Sequence, residues 1–337
     1  MVEAGAADAQ RPVVVIGNFD GVHRGHVALL RSAQALEPGA PLVVVTFWPH
    51  PMSVIRPDQT PLLLGPLERR VELLRGYGAA DVVVVEFTPE VAGWSPARFV
   101  DEVLRPLHPV RVVVGENFRF GFRAAGTVTT LADLGRGDFA VTGLPLLTDG
   151  NQPSSSTLIR HAVAEGDFGR VRELSDHGFR FTGVVVKGDQ RGREMGFPTA
   201  NVAVPSGLAV PADGVYAGWV TRLDVPDAER WPAAISVGTN PTFDGLERRV
   251  ESYVLDRDDL ELYGVEIAVD FYARLRGRSN GNAQHTGGVH ASEIRGRRPL
   301  EPGQEACRTW RACSTSECIW TISASMPAYF TWPRRRA

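Results

Sequence analysis

Residues 13–30, VVVIGNFDGVHRGHVALL, decide how the first half of the chain is read. The four β-branched residues 13–16 form a short apolar run that does not alternate, as expected of a strand covered on both faces. A glycine-bearing loop follows at once, and from about Gly25 the spacing becomes helical. Working outward, the same pattern recurs. Apolar runs at 42–47, 82–87 and 110–114 are each separated from the next by segments with helical spacing, with helices expected at 25–37, 66–77 and 95–107. Parallel strands alternating with helices predict a doubly wound α/β domain, whose ligands gather in the loops at the carboxyl ends of the strands.

The chain has 337 residues, enough for about two domains. Its composition, 43% apolar and 22% charged, is that of a soluble globular protein, and a net charge of −3 gives no basic field for nucleic acid or anionic membrane. The N-terminal residues lack the basic and apolar pattern of a signal peptide, and no later apolar run is long enough to span a bilayer. A cytoplasmic enzyme acting on small molecules is the expectation. Nothing in the composition specifies an oligomeric state. All three cysteines, Cys307, Cys313 and Cys318, lie near the C-terminus, so cysteine carries none of the main chemistry.

After a helix pair expected at 155–175, broken near Gly166 and Gly169, the pattern changes to alternation. Val265, Ile267, Val269 and Phe271 occupy every second position, and Phe179, Phe181, Tyr216, Trp219, Ile235 and Val237 sit in short segments punctuated by Gly, Pro and Asp. This predicts a small antiparallel sheet or β-barrel. The domains are expected at 1–176 and 177–277. Residues 278–337, rich in Gly, Ser, Arg and Thr, keep neither period and are expected to be poorly ordered.

The loop GNFDGVHRGH, 17–26, contains Gly17, Phe19, Asp20, Gly25 and an H-x-G-H tetrad with His23 and His26. A glycine that lets the backbone approach closely, a helix N-terminus with unpaired N–H groups, and two imidazoles together suit a polyphosphate. In adenylyl transfer an acceptor phosphate attacks the α-phosphorus directly, so the protein has to hold two anions in line and stabilise the charge that develops. A lone histidine there would more often be a cap. Two histidines, three glycines and an aspartate in one strand-to-helix turn favour the functional reading.

Three further strings accompany it: TFWPHP at 46–51, VVVGENFRFG at 112–121 and SSSTLIR at 154–160. Together these strings resemble the FMN adenylyltransferase module of prokaryotic bifunctional riboflavin kinase/FAD synthetases, within the nucleotidylyltransferase superfamily. The resemblance implies that His23 and His26 contact the ATP phosphates in a loop shared with Gly17, Phe19, Asp20 and Gly25, and that Asn117 helps hold the ligand. It further implies that Ser156, Thr157 and Arg160 close over the triphosphate. The chemistry agrees, since arginine is an obligate cation that grips phosphate bidentately. Phe47, His50, Phe118 and Phe120 are candidate flavin contacts, with ordinary core packing the competing reading for the phenylalanines.

The string GVVVKGDQRGREMGFPTANV, 183–202, resembles the riboflavin kinase signature. Gly188, Gly192 and Gly196 suit a phosphate-wrapping loop, and Thr199 and Asn201 of its PTAN segment are hard oxygen donors for Mg²⁺ bound to ATP. VESYVLD, 250–256, is similar to the family segment whose glutamate is the base, here Glu251. A solvated strand glutamate is the competing reading. The resemblance implies two reactions: ATP and riboflavin to FMN and ADP, and ATP and FMN to FAD and diphosphate.

The resemblance runs from about Val13 to Arg276 and stops after RLRG. There the family continues with an amphipathic helix bordering its flavin pocket, and this chain carries the Gly/Arg/Ser/Cys/Trp-rich tail. Such a break is what an altered reading frame produces, which resequencing would check. The alternative function is therefore an FAD synthetase only, its β domain retained as a flavin- or nucleotide-binding module. A further alternative is an H-x-G-H adenylyltransferase with another phosphate acceptor. His285, His290 and the three cysteines lack a paired metal-ligand framework and are given no metal role.

Overall fold

The computed structural model describes residues 10–149, 152–153, 155–186, 199–242, 245–255, 257 and 259–277. The tail expected to be poorly ordered, the glycines Gly188, Gly192 and Gly196, and Ser154 lie outside the described residues. Packing separates two compact units, one running to Phe181 and including Val204–Ala212, the other formed by Thr182–Ala203 and the chain from Asp213. Val204–Ala212 joins the first unit through Leu63, whose N–H donates to Gly207 O at 2.7 Å and whose carbonyl accepts from Ala209 N–H at 2.8 Å.

The first unit is built on five parallel strands, β1 (Val13–Ile16), β2 (Leu42–Trp48), β3 (Asp81–Glu86), β4 (Arg111–Gly115) and β5 (Ala140–Leu144), in the order 3-2-1-4-5. Its helices are α1 (Arg24–Leu36), α2 (Pro51–Ile55), α3 (Leu67–Gly76), α4 (Pro89–Ala92), α5 (Pro96–Phe99), α6 (Val128–Leu134), α7 (Ser156–Glu165) and α8 (Phe168–Leu174). The unbroken valine run of β1 has a simple cause. Val13 and Val15 pack with Leu30, Leu73 and Leu74 on one side, and Val14 and Ile16 with Val100, Leu104 and Leu131 on the other. All four β1 side chains are buried, each worth roughly 1.5–3 kcal/mol relative to exposure.

Four strands follow the expected apolar runs; β5, AVTGL, did not stand out, because a sheet edge that is half exposed carries threonine and glycine. The helix expected at 95–107 is helical throughout but changes its winding, from α5 through a π-helical turn at Val100–Leu104 to a 3₁₀ turn at Arg105–Leu107. The helix pair is α7 and α8, with Gly166 at φ +75° ending the first.

Residues Thr148–Asp149 (β6) and Gln152–Pro153 (β7) form a short hairpin. The second unit is a closed barrel of β8 (Phe179–Val186), β9 (Ala200–Ala203), β10 (Gly214–Arg222), β11 (Arg230–Thr242), β12 (Gly245–Val254) and β13 (Glu266–Gly277). Closure pairs every strand on both sides and removes the exposed edges. Register sorts the residues into two rows. Val185, Val202, Val250 and Val237 align around the wall and are buried; one residue along, Val186, Asn201, Glu251 and Ser236 align on the opposite face. Ile267, Val269 and Phe271 of the alternating segment are all buried, and so is Ala268 between them.

Candidate functional sites

In a 3-2-1-4-5 sheet the chain reverses its direction of build between β1 and β4, and the loops diverging there leave a crevice at the strands' carboxyl ends. The crevice holds a cavity of about 760 Å³ lined by Gly17, His23, Gly25, His26 and Asn117 together with Ser156, Thr157 and Arg160. Residues more than 130 positions apart in sequence thus face one space. The N-termini of α1 and α7 both open onto it, and neither helix carries an acidic residue in its first turn. Their positive dipole ends are left for an anion.

His23 caps α1, its Nδ1 accepting from His26 N–H at 3.4 Å, and the two rings stack with centroids 3.6 Å apart. Phe19 packs edge-on against His26 at 4.9 Å and is fully buried. Burial, reinforced by Arg160, lowers the His23 pKa to about 4. Burial, then His23 and Arg70, lowers that of His26. Both imidazoles are therefore neutral near pH 7, each with one N–H to donate, and His26 Nδ1 is buried with no hydrogen-bond partner among the described residues. The turn that aims them is strained. Phe19 and Val22 have φ of +52° and +33°, and Gly21 has φ +72°, where an added Cβ would lie 2.4 Å from Leu64 Cδ1. From behind, the ring nitrogens of His177 lie 3.0 Å from Gly21 O and 2.8 Å from Gly178 O.

Asp20 reaches the cavity, but its buried carboxylate faces donors. Oδ1 accepts from Leu64 N–H at 3.1 Å, and Oδ2 from an Arg160 Nη at 2.5 Å. An anion therefore meets Asp20 only through its cations. Arg160 also donates to Leu62 O at 2.6 Å, and Ser156 Oγ to Asp20 O at 2.7 Å. Thr157 is exposed at the rim. Arg70, which sequence reading passed over, donates to Phe47 O at 3.1 Å and Thr46 Oγ1 at 3.4 Å and lies 3.8 Å from Asp20. Its signal was available: Arg70 stands in the apolar stripe of α3 between Leu67 and Leu74.

A second cavity of about 1060 Å³ shares Gly17, Asn18, Met52, Asn117 and Phe118 with the first. Its lining is aromatic, with Phe47, Phe87, Trp94, Phe118 and Phe120. Phe118 and Phe120 stack at 5.5 Å, and Phe47 and Phe120 are buried within the core while still edging the cavity, so both readings of these phenylalanines hold in part. His50 caps α2, Nδ1 accepting from Met52 N–H at 3.2 Å, and lines the first cavity. Burial lowers its pKa as well.

On the barrel, register places Asn201 of β9 directly opposite Glu251 of β12. Side chains at paired positions share a face about 5 Å apart at Cβ. Asn201 Nδ2 donates to Thr199 Oγ1 and O, both at 3.2 Å, which draws Thr199 into the same cluster. Thr199, Asn201 and Glu251 therefore meet on the face of the wall opposite the valine row, Asn201 buried and the other two half-buried, and no cluster of three or more His, Cys, Asp or Glu exists among the described residues. Few protein oxygens are what Mg²⁺ uses when substrate phosphates and water complete its shell.

A crevice with two helix N-termini and paired histidines at the switch point of a parallel sheet, followed by a closed barrel with an Asn/Thr/Glu cluster, defines a phosphate-handling transferase of two modules. A family model described as FAD synthetase matches residues 6–158, and one described as riboflavin kinase matches 175–283. The chain is 34% identical over 273 residues to the bifunctional riboflavin kinase/FMN adenylyltransferase of Bacillus subtilis, covering 79% of this chain and 84% of that one. It is 36% identical over 268 residues to the enzyme of that name from Listeria monocytogenes, covering 78% and 84%. A crystal structure described as a macrolide-efflux protein from Streptococcus pneumoniae superposes with a TM-score of 0.71 at 30% identity, covering 82% and 90%. The chain belongs to the bifunctional riboflavin kinase/FMN adenylyltransferase family. No helix among the described residues is long and apolar enough to cross a membrane.

Proposed function

We infer that the chain converts riboflavin and ATP to FMN and ADP on the barrel, and FMN and ATP to FAD and diphosphate in the crevice. The first module spans residues 1–176 and the second 177–277. The observation that carries the adenylylation reading is the pair of adjoining cavities, one lined by phosphate-binding groups and the other by aromatic side chains, sharing Gly17, Asn18 and Asn117. ATP lies along the first with its phosphates at His23, His26, Ser156, Thr157 and Arg160; the flavin ring lies in the second against Phe47, Phe118 and Phe120. A phosphate oxygen of FMN then attacks the α-phosphorus, and diphosphate leaves toward the α1 and α7 N-termini. The neutral imidazoles donate to the charge that develops, with no covalent intermediate.

On the barrel, Glu251 accepts the proton of the riboflavin 5′-hydroxyl as that oxygen attacks the γ-phosphorus. Thr199 and Asn201 are the residues that would hold Mg²⁺, which would supply neutralisation of charge on the phosphates. The register pairing of Asn201 with Glu251 supports this assignment. Chromatography of the products from riboflavin with Mg·ATP, and separately from FMN with Mg·ATP, tests both halves. FMN from the first and FAD from the second are expected.

A further inference from the structure

One carboxylate lies between two guanidiniums under the wall of the first cavity. Asp20 is 2% exposed; Arg160 bonds it at 2.5 Å from the cavity side, and Arg70 stands 3.8 Å away on the core side. The two arginines are held differently. Arg70 is 3% exposed, tied to Phe47 O and Thr46 Oγ1 and laid over the Trp48 ring at 5.6 Å, so it cannot leave. Arg160 lines the cavity with its side chain 18% exposed. A single negative charge cannot neutralise both, so the trio carries a net positive charge, and only Arg160 can present it to a ligand.

Arg160 spends its Nε–H on Leu62 O and an Nη2–H on Asp20 Oδ2, so a phosphate that takes the Nε/Nη2 edge of its guanidinium has to displace that set. Leaving a buried carboxylate with no cation is strongly unfavourable. Arg70 removes that obstacle, since its Nε and Nη2 are buried without hydrogen-bond partners among the described residues and Nη2 stands 3.8 Å from Asp20 Oδ1. We propose that Arg70 is a positioning residue for nucleotide capture: it neutralises Asp20 from the core side, so that Arg160 is released to the polyphosphate when ATP enters. This rests on the adenylylation reading of the crevice.

The test measures ATP binding by calorimetry on the full chain without flavin, taking the component lost in Arg160→Ala as this site, with FAD formation assayed alongside. Arg70→Met removes the charge and keeps the volume, and is expected to weaken ATP binding about 10-fold, raising KM for ATP with kcat changed less than about 3-fold. Arg70→Lys keeps the charge and is expected to stay within about 3-fold of the parent. In Asp20→Asn/Arg70→Met nothing holds Arg160 back, and binding is expected to recover to within about 3-fold of the parent. Parental affinity in Arg70→Met, equal loss in Arg70→Lys, or no recovery in the double variant would overturn the proposal. Should Arg70→Met yield no folded chain, Arg70→Gln, which also removes the charge, takes its place in the single and the double variant with the same expected outcomes. A parent that binds ATP here yet makes no FAD refutes the adenylylation reading and leaves the Arg70 measurement standing, whereas a parent that makes FAD with an inert Arg70→Met refutes only the present inference.

Discussion

The crevice and the barrel wall each carry a proposed nucleotide site, built by opposite means. In the crevice the polar groups are interlocked: Asp20, Arg70 and Arg160 brace one another beneath two stacked histidines, and the loop carrying them is strained at Phe19 and Val22. On the barrel the apolar row Val185–Val202–Val250–Val237 holds the fold, and the row beside it sets a buried Asn201 against a half-buried Glu251 on the opposite face. The first site is coupled to its unit's stability through buried charge. The second is separated from stability by a one-residue alternation.

The largest expected effect is at Glu251. Glu251→Gln removes the proposed proton acceptor and should lower FMN formation by about 10²- to 10⁴-fold, with FAD formation from supplied FMN unchanged. A normal phosphorylation rate would remove Glu251 as the base. Next, His26→Ala should lower FAD formation about 10²- to 10³-fold through kcat and spare riboflavin phosphorylation. Equal loss of both activities would contradict two independent sites.

A third effect distinguishes the regions by pH. Since the folded-state pKa of His23 lies near 4 and its unfolded value near 6.5, the unfolded chain binds more protons between these values. Stability from this residue is complete above pH 6.5 and is lost as pH falls toward 4, by about 3 kcal/mol at 1.36 kcal/mol per unit. Thermal melts between pH 4 and 7 should show the first unit losing stability, and His23→Gln should flatten that dependence; an unchanged slope would place the titration elsewhere. The smallest effect sharpens the barrel half. Val250→Ala, on the buried row, should cost about 2 kcal/mol with FMN formation nearly intact, while Ser236→Ala on the opposite face should cost less than about 0.5 kcal/mol. Calorimetric unfolding of both variants reads the difference.

How much of this was legible in the sequence follows the same division. The unbroken valines of β1 betrayed a two-sided sheet, and the alternation of large apolar residues at Ile267, Val269 and Phe271 betrayed a barrel strand, although Ala268 and Asp270 between them are buried too. Strand β5 was hidden, since a half-exposed edge imposes no period. The histidines and the PTAN segment were visible as local clusters. Leu62 and His177 were not, and Arg70 showed only as a charge in the apolar stripe of α3, because their contacts with residues 20–21, 46–47 and 160 close only in three dimensions. The meeting of Asn201 and Glu251 depended on register, which fifty residues of intervening sequence do not reveal.

The most direct test supplies the purified full chain with Mg·ATP and either riboflavin or FMN and separates the products by chromatography. The account predicts FMN, followed by FAD, from riboflavin, and FAD with diphosphate from FMN. Riboflavin and FMN both recovered unchanged would contradict it.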